Sequence, residues 1–265
     1  MNLKRVIYHE PQETFFSDVR TKTFVAKMLK TAKDHNIHIG DSELMSWQSN
    51  GSNIKELLEL SDVRDAYITF EYLIPYRRLR VDCMIYGRDL SGQGNVLHIE
   101  LKQWNNKNVK AADCAGNFDI DDDASDNDFK VEAYTGGGHR PVAHPSQQVR
   151  GYHDYLLGFV NVLSTKELAI EGLAYCYNYK KNGDPCFLYD ERYNQLQDSY
   201  RTYSGDEVAE LARKLNTVLA GGDGLTVFNL MINSPIRPSK KLLESAANLI
   251  HEGNLSEFSL IDDQI

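Results

Sequence analysis

The sequence contains no run of about 18 or more apolar residues, which excludes an ordinary membrane-spanning helix. Its first residues, MNLKRVIYHEPQETFF, have a basic patch but no apolar stretch behind it, so no signal peptide is expected. Its four cysteines, Cys83, Cys114, Cys176 and Cys186, form no CxxC pair and no zinc spacing. Three of them sit in or beside apolar runs, as reduced thiols of a cytoplasmic protein would. There is no internal repeat, and no motif supports a Ser/His/Asp or Cys/His nucleophile. With 42% hydrophobic and 25% charged residues, disordered, collagen-like and coiled-coil descriptions of the whole chain are out. What remains is a 265-residue globular chain, long enough for one large domain or two small ones.

The net charge of −9 argues at first against a nucleic-acid partner. The excess is local, however. Residues 119–132 hold seven acids (Asp119, Asp121, Asp122, Asp123, Asp126, Asp128, Glu132) against the single base Lys130, so the rest of the chain is close to balanced. Asp119, Asp121 and Asp123 alternate like the start of a calcium loop, but Ala124 and Lys130 stand where glycine and glutamate are required, so a solvated loop is expected. One role for it would be to compete with nucleic acid for a basic groove.

Hydrophobic spacing predicts helix over residues 12–34 and again from Asp41 or Ser42 through Leu60. AYITFEYLIP, YRRLRVDCMIYG and NVLHIELKQW follow as three short strands separated by turn-forming residues. A helix starting at Ser146, after Pro145, a buried strand in KELAIEGLAYCYNY and an amphipathic helix in GDEVAELARKLNTVL come next. LTVFNLMIN is expected as a last strand and PSKKLLESAANLIHEG as a last helix. The pattern is an α/β domain with helices around a mixed sheet.

The chemistry-bearing stretch is Arg80 to Trp104. Asp82 interrupts one apolar strand, and Glu100 and Lys102, two apart on another, point to one face. Charges within an apolar strand are costly unless paired or bound to a metal. Asp82 and Glu100 are hard oxygen donors suited to Mg²⁺ or Mn²⁺, and the Leu101 carbonyl would add another. Lys102 would then orient the attacking water or stabilise charge on a phosphate. The bland alternative, a solvated Glu100–Lys102 ion pair, is equally compatible with these three residues. Gln148 and Tyr152 share a face of the following helix and could hold a nucleic-acid backbone.

Asp82, IELK and QVRGY together resemble the PD-(D/E)XK nuclease superfamily in its RecB-like form with a glutamine–tyrosine helix. SELMSWQ, EYLIP, RVDCMIYG, HIELKQW, YTGGGHRPVAHPSQQVRGY, LAYCYNY, IRPSKKL and FSLIDDQ resemble the N-terminal region of bacterial Schlafen-group-3-like DNA/RNA helicase proteins, from about Asp41 to the end. The resemblance implies a restriction-endonuclease-like core with a mixed central sheet flanked by helices. It places an N-terminal helical segment at 1–40, the nuclease-like domain at 41–235 with the acidic insertion, and a C-terminal helix leading toward a helicase at 236–265. It implies a Mg²⁺- or Mn²⁺-dependent nuclease, with DNA favoured over RNA and a helicase in cis or trans, acting in a nuclease–helicase or antiphage defence system. It also implies a further acid on the first core helix that would reach the metal and assist catalysis, for which Glu43 is favoured over Glu71, whose competing reading is a cross-strand partner for an arginine of YRRLR. Such relatives continue into an ATPase with a GxxxxGK[ST] loop; this sequence has none, so no ATP hydrolysis is expected, and Gln264 reads as a remnant of the helicase entry. The chain is expected to be a shortened or stand-alone relative, and a homodimer would suit cutting of two strands. The alternative is a catalytically silent nucleic-acid-binding or protein-interaction module serving a helicase.

Basic residues that could track phosphates are Arg77, Arg78, Arg80, Lys107, Lys110, Arg140, Arg150, Arg237, Lys240 and Lys241, although ordinary surface spread explains most of them. Trp104 and Tyr134 could stack on bases, with core packing the better expectation for Trp104. His139 and His144 flank the glycine loop, where a loop-fixing hydrogen bond is expected.

Overall fold

The computed structural model describes residues 3–77, 79–111, 129–135 and 137–244. Cys114, Arg78, the acidic run 119–128 and everything beyond residue 244, Gln264 included, lie outside the described residues. The chain is a mixed α/β structure. Strand β1 (Val6–Pro11) leads into helices α1 (Gln12–Arg20), α2 (Phe24–Asp34) and α3 (Asp41–Leu60), then strands β2 (Tyr67–Leu73), β3 (Arg80–Arg88) and β4 (Gly94–Lys102). A small ribbon of β5 (Val109–Ala111), β6 (Lys130–Thr135) and β7 (Gly138–Ala143) precedes α4 (Pro145–Phe159), the short α5 (Asn161–Ser164) and β8 (Ala169–Cys176). The described elements close with α6 (Asn194–Ser199), β9 (Thr202–Ser204), α7 (Val208–Leu219) and α8 (Gly224–Ile232).

The central sheet has the order β1-β2-β3-β4-β8-β9. Pairing is antiparallel from β1 to β4 and parallel from β4 through β8 to β9. The crossover from β4 to β8 carries α4, as a parallel connection requires. Helices cover both faces. On one, Phe15, Phe24, Met28, Trp47, Ile54, Leu57, Leu211 and Leu215 of α1, α2, α3 and α7 pack on Phe70, Cys83, Ile85, Leu97 and Ile99. On the other, Leu156, Val227, Phe228 and Met231 of α4 and α8 pack on Tyr72, Met84, Tyr86 and Val96. Among the described residues no helix is long and apolar enough to cross a membrane.

Three local expectations differ from what is observed. LTVFNLMIN is not a strand but helix α8; Gly224, Val227, Phe228, Met231 and Ile232 recur at helical spacing and face the sheet, and this burial overrides the β-branched and aromatic composition of the run. The helix can lie so close because Gly224 has no side chain: a Cβ there would stand 2.2 Å from the Tyr67 amide nitrogen. The N-terminal segment is helical over α1 and α2 but also contributes β1, whose Val6, Ile7 and Tyr8 are buried. The helix expected over 12–34 breaks at Thr21–Thr23, where Lys22 takes φ +61° and Thr23 bonds the Asp18 carboxylate. That carboxylate also accepts from Tyr8 and Lys27, tying β1, α1 and α2 together.

Candidate active site

The sheet forks where its acids lie. Partners of β2 and β3 run in one register from Tyr67↔Tyr86 to Leu73↔Arg80, except that Glu71 and Asp82, which face each other, have no ladder pairing. Pairing of β3 with β4 stops at Cys83↔Ile99, one row before Asp82 would meet Glu100, although β4 stays paired with β8 as far as Lys102↔Cys176. Glu71 has φ +56° in the middle of β2, a left-handed conformation that is strained for a side chain of this size. Across it the pleat reverses: Phe70 and Cys83 belong to the cluster under α1–α3, whereas Tyr72 and Val81, two rows on and so due on the same face, belong to the cluster under α4 and α8. The acids of three adjacent strands thus share one row, at the boundary of the two cores.

Each is held differently. One Asp82 oxygen accepts the Leu101 amide N–H at 2.7 Å, replacing the strand partner that the fork removes. Glu100 is 4% exposed; its Oε1 accepts from Lys102 Nζ at 2.7 Å, and its Oε2 has no partner. Glu100 and Lys102 share a face of β4, as their spacing predicts, but the pair is largely buried, which sets aside the solvated-face reading. Burial raises the Asp82 carboxyl well above its ordinary range, and Glu100 raises it further against the pull of Lys102. Burial alone would lower the Lys102 ammonium, but Glu100 and Asp82 outweigh it and the net direction is upward. Nζ also lies 5.4 Å from the centre of the Trp104 ring.

Glu43 and Glu71 share one arginine. Arg80 donates from Nη2 to Glu43 at 2.5 Å and from Nε to Glu71 at 3.0 Å, while its buried Nη1 has no partner. The cross-strand reading of Glu71 therefore holds, and the helix acid Glu43 joins the same pair. Glu71 also accepts from Trp47 Nε1 at 2.9 Å. Burial pushes its carboxyl up to about 7, against the attraction of Arg80. The sequence signal for Glu71 is the one that marks Glu100, an acid inside an apolar strand.

Gln148 and Tyr152 lie on one face of α4 and line a common cavity. The Tyr152 phenol is raised by burial and then by the carboxylates of Glu100, Asp82 and Glu71, so it faces the acid row from the helix side. How closely α4 approaches is set by a pair the sequence reading does not single out. His98, fully buried on the face of β4 that carries Glu100, has neither ring nitrogen bonded, and burial lowers its imidazole to about 3. It packs over Gly172, where a Cβ would stand 2.2 Å from its Nε2 and 2.7 Å from Val149 Cγ1 of α4. Gly172→Ala is expected to cost about 2 kcal/mol in urea unfolding by overpacking, and part of that cost should vanish in a His98→Ala background, where the ring is gone and only the contact with Val149 remains.

The remaining candidates are dispersed. Arg150 points outward to Asp154 at 3.7 Å, Arg237 binds Asn161 Oδ1, and Lys240 lies beside Glu244. Tyr134 is exposed opposite His139 on the ribbon, while Trp104 packs against a small core of Val109, Val131 and Tyr179. His144 fixes the loop as expected, by capping α4.

The donor set fits a hard divalent cation. A buried carboxylate oxygen without a partner stands beside a second carboxylate with one oxygen still uncommitted by the bonds described above. Among the described residues no group of three or more His, Cys, Asp or Glu side chains converges to hold a metal alone. Two carboxylates completed by water and substrate oxygens are the habit of Mg²⁺. Comparison of the chain with family models, with curated proteins and with solved structures gives no match.

Proposed function

We propose that this chain is a divalent-metal-dependent nuclease domain that hydrolyses phosphodiester bonds, with DNA the favoured substrate. The observation that carries the reading is the unpartnered, buried Glu100 oxygen beside Asp82 and Lys102 where β3 and β4 separate. The core order α3-β2-β3-β4-α4-β8, with the ribbon β5–β7 inserted before α4 and the short α5 after it, supports it, being the helix–strand–strand–strand–helix–strand order expected from the sequence pattern.

Asp82 and Glu100 would hold Mg²⁺ or Mn²⁺, with the Leu101 carbonyl as a further donor. When bound, the ion would supply a more acidic water and positive charge at the phosphate. Lys102, tied to Glu100, orients the attacking water and offsets charge on the phosphate oxygens. Gln148 and Tyr152 hold the strand from the α4 side. Glu43 acts through Arg80 and keeps Glu71 in place. A helicase in cis or trans would deliver the strand.

The test is cleavage of labelled DNA and RNA in Mg²⁺, in Mn²⁺ and in chelator. Metal-dependent products are expected from the wild type, and none from Asp82→Ala or Lys102→Ala with unchanged circular dichroism. Cleavage that persists in both variants rejects the reading. Binding without turnover in every metal transfers it to a silent module serving a helicase.

A further inference from the structure

Between the β2–β3 turn and α4 lies a cavity of about 210 Å³. Ile74 and Leu79 form its wall on the turn side, Tyr155, Tyr152 and Gln148 its wall on the helix side, and Arg77 its rim. The walls are fixed in place. Tyr155 donates its hydroxyl to the Pro75 carbonyl at 2.6 Å, which fastens the turn to the helix. The Arg77 guanidinium lies 4.8 Å from the centre of the Tyr155 ring, and Tyr155 in turn stacks on Phe159 at 4.5 Å. The space is smaller than the ~300 Å³ at which drug-sized pockets begin, so it suits one ring system. Its surfaces are two aromatic rings, two aliphatic side chains, a cationic plane and one carboxamide able both to donate and to accept.

That combination suits a flat heteroaromatic ring with a polar edge, and Tyr152 joins the cavity to the acids. We propose that this cavity receives one unstacked nucleobase beside the scissile phosphate, so that the substrate is a single-stranded polynucleotide. The assignment of the neighbouring phosphate rests on the nuclease reading; the base site itself does not. A base inside a duplex cannot enter such a pocket without leaving its stack, whereas a single strand offers its bases at little cost.

Two variants address the cavity without touching the acids, Lys102, Gln148 or Tyr152. Gly151 also lines it, and a Cβ at Gly151 meets nothing within 4 Å, so Gly151→Leu fills the space while improving the helix. Leu79→Ala removes an exposed wall residue from the turn. The probes are a fluorescent oligothymidylate, a fully abasic deoxyribose-phosphate strand of equal length, an oligouridylate and a DNA duplex, all in chelator at one salt concentration. The wild type is expected to bind oligothymidylate about tenfold tighter than the abasic strand, as stacking of a single base on aromatic groups allows, and tighter than the duplex; oligouridylate should follow oligothymidylate. Gly151→Leu and Leu79→Ala should each remove most of the difference between intact and abasic strands. Equal binding of both strands by the wild type, a preference for duplex, or an undiminished difference in Gly151→Leu overturns the proposal. Base-dependent binding without cleavage in Mn²⁺ would support the pocket and reject the nuclease reading; cleavage without base dependence would do the reverse.

Discussion

Lys102→Met is expected to abolish cleavage and to destabilise the fold by about 3 kcal/mol, and adding Glu100→Gln is expected to return most of the stability and none of the activity. Among the described residues Lys102 is the one hydrogen-bonding partner of Glu100, whose side chain is 4% exposed. Removing the ammonium leaves that carboxylate and Asp82 facing each other without a counter-charge, and breaking one side of a buried pair typically costs ~3–5 kcal/mol. Neutralising the second side removes the stranded charge, so the double variant should lie well above the single one. The pH dependence has a definite sign. Without the lowering pull of Lys102 the Asp82 carboxyl shifts further up, its protonated form becomes the favoured native form, and the deficit of Lys102→Met is largest at neutral pH and shrinks as pH falls. Urea melts at neutral and mildly acidic pH check the stability, and the metal-dependent assay checks the activity. A double variant no more stable than Lys102→Met would mean that the lysine contributes packing rather than charge.

Acidification is expected to weaken the wild type through His144 by roughly 3 kcal/mol between pH 6.5 and 4. This side chain is fully buried and caps the helix that carries Gln148 and Tyr152. Nδ1 accepts the Ser146 amide N–H at 3.1 Å, which leaves the proton on Nε2, 3.1 Å from the Leu188 carbonyl that accepts it. The ring stacks on Tyr193 at 4.3 Å. Burial lowers the imidazole to about 4, only partly countered by the Leu188 carbonyl. A lowered native value means that the fold prefers neutral histidine. The contribution is therefore complete above the unfolded value near 6.5 and is lost as pH falls toward the native value. A proton on Nδ1 would also displace the Ser146 amide and undo the cap. Asparagine caps helices without titrating, so His144→Asn should be less stable than the wild type at pH 7 yet lose less on acidification. Comparing the two proteins by urea unfolding at each pH cancels the contributions of the other histidines. Identical acid slopes would remove His144 from the account.

Much of the site is legible in residues 80–104, because alternation is a strong signal in strands: Glu100 and Lys102 share a face in the sequence pattern and in the fold. The order of the elements around them is also readable from spacing and turn residues. What was not legible depends on distant contacts. The left-handed turn of the backbone at Glu71 appears only once β1 and β3 lie on either side of it. Arg80 reaches across two elements to Glu43 and Glu71, and no local pattern connects positions 43, 71 and 80. Helix α8 shows the same limit from the other side. Leu225, Thr226, Val227 and Phe228 favour strand by composition, and only the close seat against Tyr67 that Gly224 permits decides for helix. β1 is short and polar at its end, and it exists because β2 offers it an edge.

The fork between β3 and β4 ties chemistry to mechanics. On one side of it β3 stays paired with β2, on the other β4 stays paired with β8, and the ladder from Cys83↔Ile99 to Gly87↔Asn95 joins the two at the closed end. At the acid row itself, the bond from the Leu101 amide to Asp82 spans the gap that the lost ladder pairing leaves. Anything that draws Asp82 and Glu100 toward a common point therefore also closes the fork, and anything that widens the fork changes the spacing of the oxygens. Affinity at this place and the width of the fork are therefore coupled.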